Sequence, residues 1–175
     1  MCYVDAITKE PVLSGILVVD DHPVIARACG LVLGLETIVS ALDADTGYQA
    51  FLAHEPEISV IDLSLRRNEL DGLDLIRRIR ARDAGARILV FSMRSDRSTF
   101  LAAIEAGATG YLIKDSPIEE FAKAVQRIRS GRRYIDPQLA LNLAFVRNAA
   151  LTPRERRILE LLDDAPAATP RRPTH

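Results

Sequence analysis

No apolar run in this chain reaches the ~20 residues that a membrane-spanning helix requires. The start, Met1 to Glu10, has neither the basic opening nor the apolar stretch of a secretory leader. Both absences point to a soluble, cytoplasmic protein. Cysteine is scarce as well. Cys2 and Cys29 stand far apart and match no metal-ligand spacing, which argues against a thiolate metal site and fits a reducing compartment. Cys29 reads as a small core residue. The charge is almost balanced, with 23 Lys and Arg against 24 Asp and Glu and a net −1. No overall field would hold nucleic acid or an anionic membrane, so any such binding has to be local. Histidine numbers three, with none at ligand spacing from another. His22 precedes Pro23 at a helix start, His54 lies at a helix end beside Glu55-Pro56, and His175 is terminal.

What is present is apolar content, 48% over 175 residues, enough for one good-sized core with appendages. Short apolar runs recur at Ile16 to Val19, Ile38 to Leu42, Ile58 to Ile61, Ile88 to Phe91 and Tyr111 to Ile113. Three of the five are almost uninterrupted in apolar character, as suits parallel strands covered on both faces. Between them the period lengthens to that of a helix: Leu73, Ile76 and Ile79 share a face, as do Phe121, Val125 and Ile128. The alternation predicts an α/β layered fold. Ser116-Pro117 reads as cap and first residue of the last of these helices, and Gly131 as its end.

The compact domain is expected from Gly15 to Gly131, preceded by a flexible arm (1–14) and followed by a linker (132–150). In that linker Arg132 to Ile135 reads as a link, and Asp136-Pro137 opens a short helix with Leu139, Leu143 and Val146 on one side. Thr152-Pro153-Arg154-Glu155 is a capping box before Ile158, Leu159, Leu161 and Leu162. From Asp163 onward the chain turns rich in Pro, Ala and Arg, a composition expected to be disordered.

Five strand–helix alternations put polar residues at strand C-terminal ends, the edge where open α/β sheets bind ligands. Asp20 and Asp21 follow the first strand, Asp62 the third, Ser92 the fourth and Lys114 the fifth. Each alone reads as a turn or cap residue. Together they set three carboxylates, a hydroxyl and an ammonium around one crevice, and such clustered negative charge requires a cation. Magnesium suits it, because that ion binds through few carboxylates and leaves positions for phosphate oxygens. A carboxylate there can act as nucleophile in phosphoryl transfer, with Lys114 and Ser92 as partners of the phosphoryl oxygens.

These stretches, Val18-Val19-Asp20-Asp21-His22-Pro23, Val60-Ile61-Asp62-Leu63-Ser64, Phe91-Ser92-Met93 and Gly110-Tyr111-Leu112-Ile113-Lys114-Asp115, resemble the signature segments of response-regulator receiver domains. The resemblance runs in order from about Gly15 to Gly131. It implies a flavodoxin-like (βα)5 sheet of strand order 2-1-3-4-5, with Asp62 as phosphoacceptor from a cognate histidine kinase. It further implies Mg2+ held by Asp21, Asp62 and the Ser64 carbonyl with help from Asp20, phosphate contacts from Ser92 and Lys114, and a switch through Ser92 and Tyr111. Phosphorylation would draw the Ser92 hydroxyl inward and let Tyr111 rotate in behind it. A homodimer or partner surface would then lie on the helix 4–strand 5–helix 5 face or on helices 1 and 5.

The loop after Asp62 departs from the pattern. Arg66-Arg67-Asn68-Glu69 stands where family members carry a proline, and Gly72 comes ten positions after Asp62, two later than usual. The two arginines read as solvated.

Leu151-Thr152-Pro153-Arg154-Glu155 and Ile158-Leu159 resemble the opening of the helix-turn-helix of NarL/FixJ-type regulators. Reading bases requires a second, recognition helix, and Pro166, Pro170 and Pro173 break any candidate. The chain by itself is therefore expected not to bind DNA specifically. A complete C-terminal domain in the native gene would make it a transcriptional regulator. The competing enzymatic reading is an aspartyl-phosphate phosphohydrolase. It is disfavoured because the second Asp such enzymes carry two residues after the nucleophile is here Ser64. No catalysis beyond slow self-dephosphorylation is expected.

Overall fold

The computed structural model describes residues 15–35, 38–65, 71–145 and Pro153. Its elements alternate: β1 (Ile16–Val19), α1 (Pro23–Leu33), β2 (Val39–Ala41), α2 (Ala44–His54), β3 (Ile58–Ile61), α3 (Asp71–Arg82), β4 (Ile88–Ser92), α4 (Arg97–Ala106), β5 (Gly110–Ile113), α5 (Ile118–Arg129), β6 (Tyr134–Ile135) and α6 (Pro137–Phe145). The expected arm, the Arg66-Arg67 loop, Val146 and the helix-turn-helix segment other than Pro153 lie outside the described residues.

The strands form one parallel sheet in the order β2-β1-β3-β4-β5-β6. The expected order 2-1-3-4-5 is present, extended by a sixth strand. Arg132 to Ile135 is thus not a simple link. Its second half pairs with β5, Gly110 opposite Tyr134 and Tyr111 opposite Ile135. Two residues between an arginine pair and Asp136-Pro137 carry too little periodicity to announce a strand; the free edge of β5, with unpaired backbone groups, supplies the template.

All residues of β1, β3, β4 and β5 are buried, as their largely apolar runs require, with Ser59 of β3 and Ser92 of β4 as the polar residues among them. Alternation along β1 divides the core. Leu17 and Val19 join Leu73, Ile76 and Ile79 of α3 and Phe100 of α4 on one face, whereas Ile16 and Val18 join Cys29 of α1 and Phe121, Val125 and Ile128 of α5 on the other. Helix α6 places Leu139 and Leu143 in the first cluster, together with Tyr111 and Phe100.

Caps set several helix starts. The Asp43 carboxylate accepts the Thr46 N–H at 2.8 Å ahead of α2, and Asp96 accepts Thr99 N–H at 2.9 Å ahead of α4. Ser116 does not cap α5. Pro117 occupies that position without a side-chain bond, and the Ser116 hydroxyl is turned elsewhere. Among the described residues no helix is long and apolar enough to cross a membrane.

Candidate functional site

Parallel strands end on the same side, and that geometry gathers the polar residues separated in sequence. The Asp20 N–H donates to the Ala41 carbonyl of β2 (3.0 Å), Asp62 N–H to the Val19 carbonyl of β1 (2.9 Å) and Lys114 N–H to the Ser92 carbonyl of β4 (2.9 Å). Each site residue is therefore held by the ladder one step beyond its own strand.

Lys114 is the hinge of the cluster. Its Nζ lies 2.6 Å from Asp20 Oδ2 and 2.7 Å from Asp62 Oδ2, and all three side chains are at least nine-tenths buried. Burial opposes the ammonium charge, but the bonds to Asp20 and Asp62 outweigh it and hold the Lys114 pKa above its ordinary value. Asp62 Oδ1 accepts the Ser64 N–H at 3.2 Å, and Asp20 Oδ1 accepts the His22 N–H at 2.9 Å. One oxygen of Asp62 is thus tied to its own loop and the other to Lys114.

Asp21 differs from its neighbours. Its Oδ1 is buried with no aligned hydrogen-bond donor among the described residues, although His22 Nδ1 stands 2.7 Å away. Ligand atoms of Asp20, Asp21 and His22 all lie within 4.8 Å of one another. Hard carboxylate oxygens, one of them without a donor, fit a small divalent cation such as magnesium. Sequence reasoning passed over His22 as a helix-start residue. Its backbone does sit at the N-cap of α1, but its mostly exposed ring also leans on the acidic pair, a proximity that only side-chain placement reveals.

The Ser92 side chain is fully buried at the end of β4, where its Oγ accepts the Arg94 N–H at 3.4 Å. Tyr111 is also fully buried: its hydroxyl donates to the Arg94 carbonyl at 2.8 Å, and its ring meets Phe100 edge-on at a centroid distance of 5.6 Å. Burial raises the phenol pKa above its usual value, reinforced by the Asp96 charge and countered by hydrogen bonding with Ser92. The inward position that Tyr111 is expected to take on phosphorylation is the one it occupies in this structure. The ring is already inside, held by a carbonyl and an aromatic partner that sequence could not supply.

Gly72 explains the residue type that follows the acceptor loop. A Cβ there would meet the Asp62 carbonyl oxygen at 2.2 Å and Leu63 Cα at 2.6 Å. The first turn of α3 approaches the backbone of Asp62 so closely that only hydrogen fits. Its N–H donates to the Leu63 carbonyl at 3.3 Å. The two-residue displacement of this glycine in sequence leaves it against the acceptor backbone.

The response regulator receiver domain family matches residues 16–126. The methanol utilization control regulatory protein MoxX of Paracoccus denitrificans is 38% identical over 161 residues, which are 85% of this chain and 71% of MoxX. The nitrate/nitrite response regulator NarL of Escherichia coli strain K12 is 30% identical over 166 residues, 88% of this chain and 76% of NarL. Against the oxygen regulatory protein NreC of Staphylococcus epidermidis the match spans only 60% of the relative. A solved LuxR-family two-component response regulator from Aurantimonas sp. SI85-9A1 superimposes with a TM-score of 0.70 at 36% identity, over 76% of this chain and 96% of that one. With the sheet order, the Asp20–Asp62–Lys114 cluster and these relatives in agreement, the chain belongs to the response-regulator receiver family and is homologous to regulators of the NarL/FixJ type.

Proposed function

We propose that Asp62 accepts a phosphoryl group from a histidine kinase and that the resulting aspartyl phosphate is a signal rather than a catalytic intermediate. The observation that carries this reading is Lys114 bridging Asp20 and Asp62 at 2.6 and 2.7 Å in a nearly closed crevice. An Asp62 carboxylate oxygen attacks the phosphorus, the bond from phosphorus to the kinase imidazole nitrogen breaks, and that nitrogen leaves with the electron pair. Lys114 can exchange Asp62 Oδ2 for a phosphoryl oxygen without leaving the site. Asp20, Asp21, Asp62 and the Ser64 carbonyl would hold Mg2+, which when bound neutralises the approaching dianion.

Tyr111 and Ser92 form the readout. Phosphate shifts the conformational equilibrium only by binding one state better. Here it gives the Ser92 hydroxyl a new acceptor and so favours the arrangement in which Tyr111 is inside.

For the homodimer the α1 and α5 face is preferred to the α4–β5–α5 face. Val24 and Leu31 on α1 and Ile118 on α5 are exposed apolar side chains, whereas β6 covers the free edge of β5.

The test is incubation with acetyl phosphate and Mg2+, followed by mass spectrometry. Wild type should gain a hydroxylamine-labile acyl phosphate on Asp62, and no label should form when a chelator is present from the start. Phosphorylation of Asp62→Asn at the wild-type rate would refute the assignment.

A further inference from the structure

Helix caps are ordinarily surface features, needing one oxygen near the first N–H groups. The cap of α6 is not. Asp136 is completely buried, and taking a carboxylate out of water is unfavourable unless donors surround it. Donors from three elements do so. Its Oδ1 accepts the N–H groups of Gln138 (2.9 Å) and Leu139 (3.2 Å) in α6. Its Oδ2 accepts the Ile113 N–H of β5 at 3.4 Å and the hydroxyl of Ser116. Its own N–H donates to the Tyr111 carbonyl at 2.8 Å.

Ser116 lies two residues after Lys114 in the turn that connects β5 to α5, and its N–H closes that turn on the Ile113 carbonyl at 3.1 Å. The hydroxyl that sequence assigns to capping α5 is free for this task because Pro117 takes the cap position. Lys114 therefore stands on a short turn with one end in β5 and the other pinned to the first residue before α6. Helix α6 in turn is seated by Leu139 and Leu143 in the apolar cluster that contains Tyr111.

We propose that Ser116 and Asp136 are a positioning pair that makes the placement of Lys114 depend on the seating of α6, so that phosphoryl chemistry at Asp62 and the docking of α6 are coupled. The inference rests on the reading of Asp62 as phosphoacceptor. Because equilibrium coupling is reciprocal, whatever α6 does for Lys114 the phosphoryl group does for α6. The segment that leads out of the receiver domain thus senses the acceptor through one hydroxyl and one buried carboxylate.

Ser116→Ala isolates the link, since it removes the hydroxyl and leaves both cap bonds of Asp136 to α6. The experiment measures hydrogen exchange at the amides of Gln138, Leu139 and Ala140 with and without beryllofluoride and Mg2+, alongside initial rates of phosphorylation by acetyl phosphate. In wild type, exchange at those amides should change about fivefold or more on beryllofluoride binding, the low end of typical coupling. Ser116→Ala should lose that response and bind beryllofluoride about fivefold more weakly, and it should phosphorylate more slowly at saturating donor with the donor KM little changed. Ser116→Thr should restore all three. A merely structural role would lower the urea midpoint without altering the response of α6.

An α6 response in Ser116→Ala equal to that of wild type overturns the proposal. If beryllofluoride leaves the amides of Asp62 and Ser64 unchanged in wild type, the acceptor assignment falls and the coupling with it. If those amides respond while Gln138 to Ala140 do not, the coupling alone is overturned.

Discussion

Replacing Gly72 with alanine sets two physical effects of opposite sign against each other. Gly72 is the second residue of α3, and in a helix alanine is favoured over glycine by about 1 kcal/mol. Propensity alone therefore predicts a more stable protein. The close approach predicts otherwise. The new Cβ would lie 2.2 Å from the Asp62 carbonyl oxygen, 2.6 Å from Leu63 Cα and 3.0 Å from the Asp62 carbonyl carbon. All three are backbone atoms of the acceptor loop, so no side chain can swing away.

Either α3 withdraws or the end of β3 distorts. Overpacking of this kind costs about 1–3 kcal/mol, occasionally more, and backbone neighbours put it at the upper end. Set against the propensity gain, a net loss of roughly 2 kcal/mol is expected, lowering Tm by somewhere near 8 °C for a domain of this size. Urea unfolding checks the magnitude, and acetyl phosphate labelling checks whether Asp62 is displaced. Gly34→Ala is the control: nothing lies within 4 Å of its Cβ, so only the positive φ of 64° is penalised, at about 1 kcal/mol, with no effect on labelling. If Gly72→Ala is as stable as wild type and is phosphorylated at the same rate, the steric argument is wrong.

Removing the ammonium in Lys114→Ala leaves the buried carboxylates of Asp20 and Asp62 without their common partner. The expected cost is about 3 kcal/mol at pH 7, and added Mg2+ should raise the Tm of this variant more than that of wild type. In wild type the Lys114 pKa is raised, so its contribution is complete below its unfolded value and is lost only as alkaline pH rises through the folded one. Asp96, whose bonds from Ser98 and Thr99 lower its pKa to about 2, stabilises above its unfolded value and loses that effect as pH falls through the folded one. Asp96→Ala should therefore cost about 1 kcal/mol at neutral pH, and the difference from wild type should disappear in urea titrations between roughly pH 4 and pH 2. Burial, aided by the Asp20 charge, pushes the Cys29 thiol up to about 12. With Cys2 replaced by serine, an aromatic disulfide reagent at pH 8 should react only on unfolding, and rapid native labelling would contradict the placement of Cys29 in the core.

Much of the architecture was legible in sequence because strands buried on both faces need largely apolar runs and their helices need a 3.6-residue stripe. Ile16 to Val19, Ile58 to Ile61 and the Leu73, Ile76 and Ile79 face follow from that requirement alone. So does the convergence of Asp20, Asp62 and Lys114, since parallel strands end on one edge. Tertiary structure decided what depends on distances between segments with no period of their own. It paired Tyr134 and Ile135 with the edge of β5, turned Ser116 from α5 toward Asp136, laid the ring of Tyr111 against Phe100, and closed α3 onto the backbone of Asp62. Each of those rests on a partner remote in sequence, and a hydrogen bond or a steric contact leaves no repeating signal along the chain that could announce it.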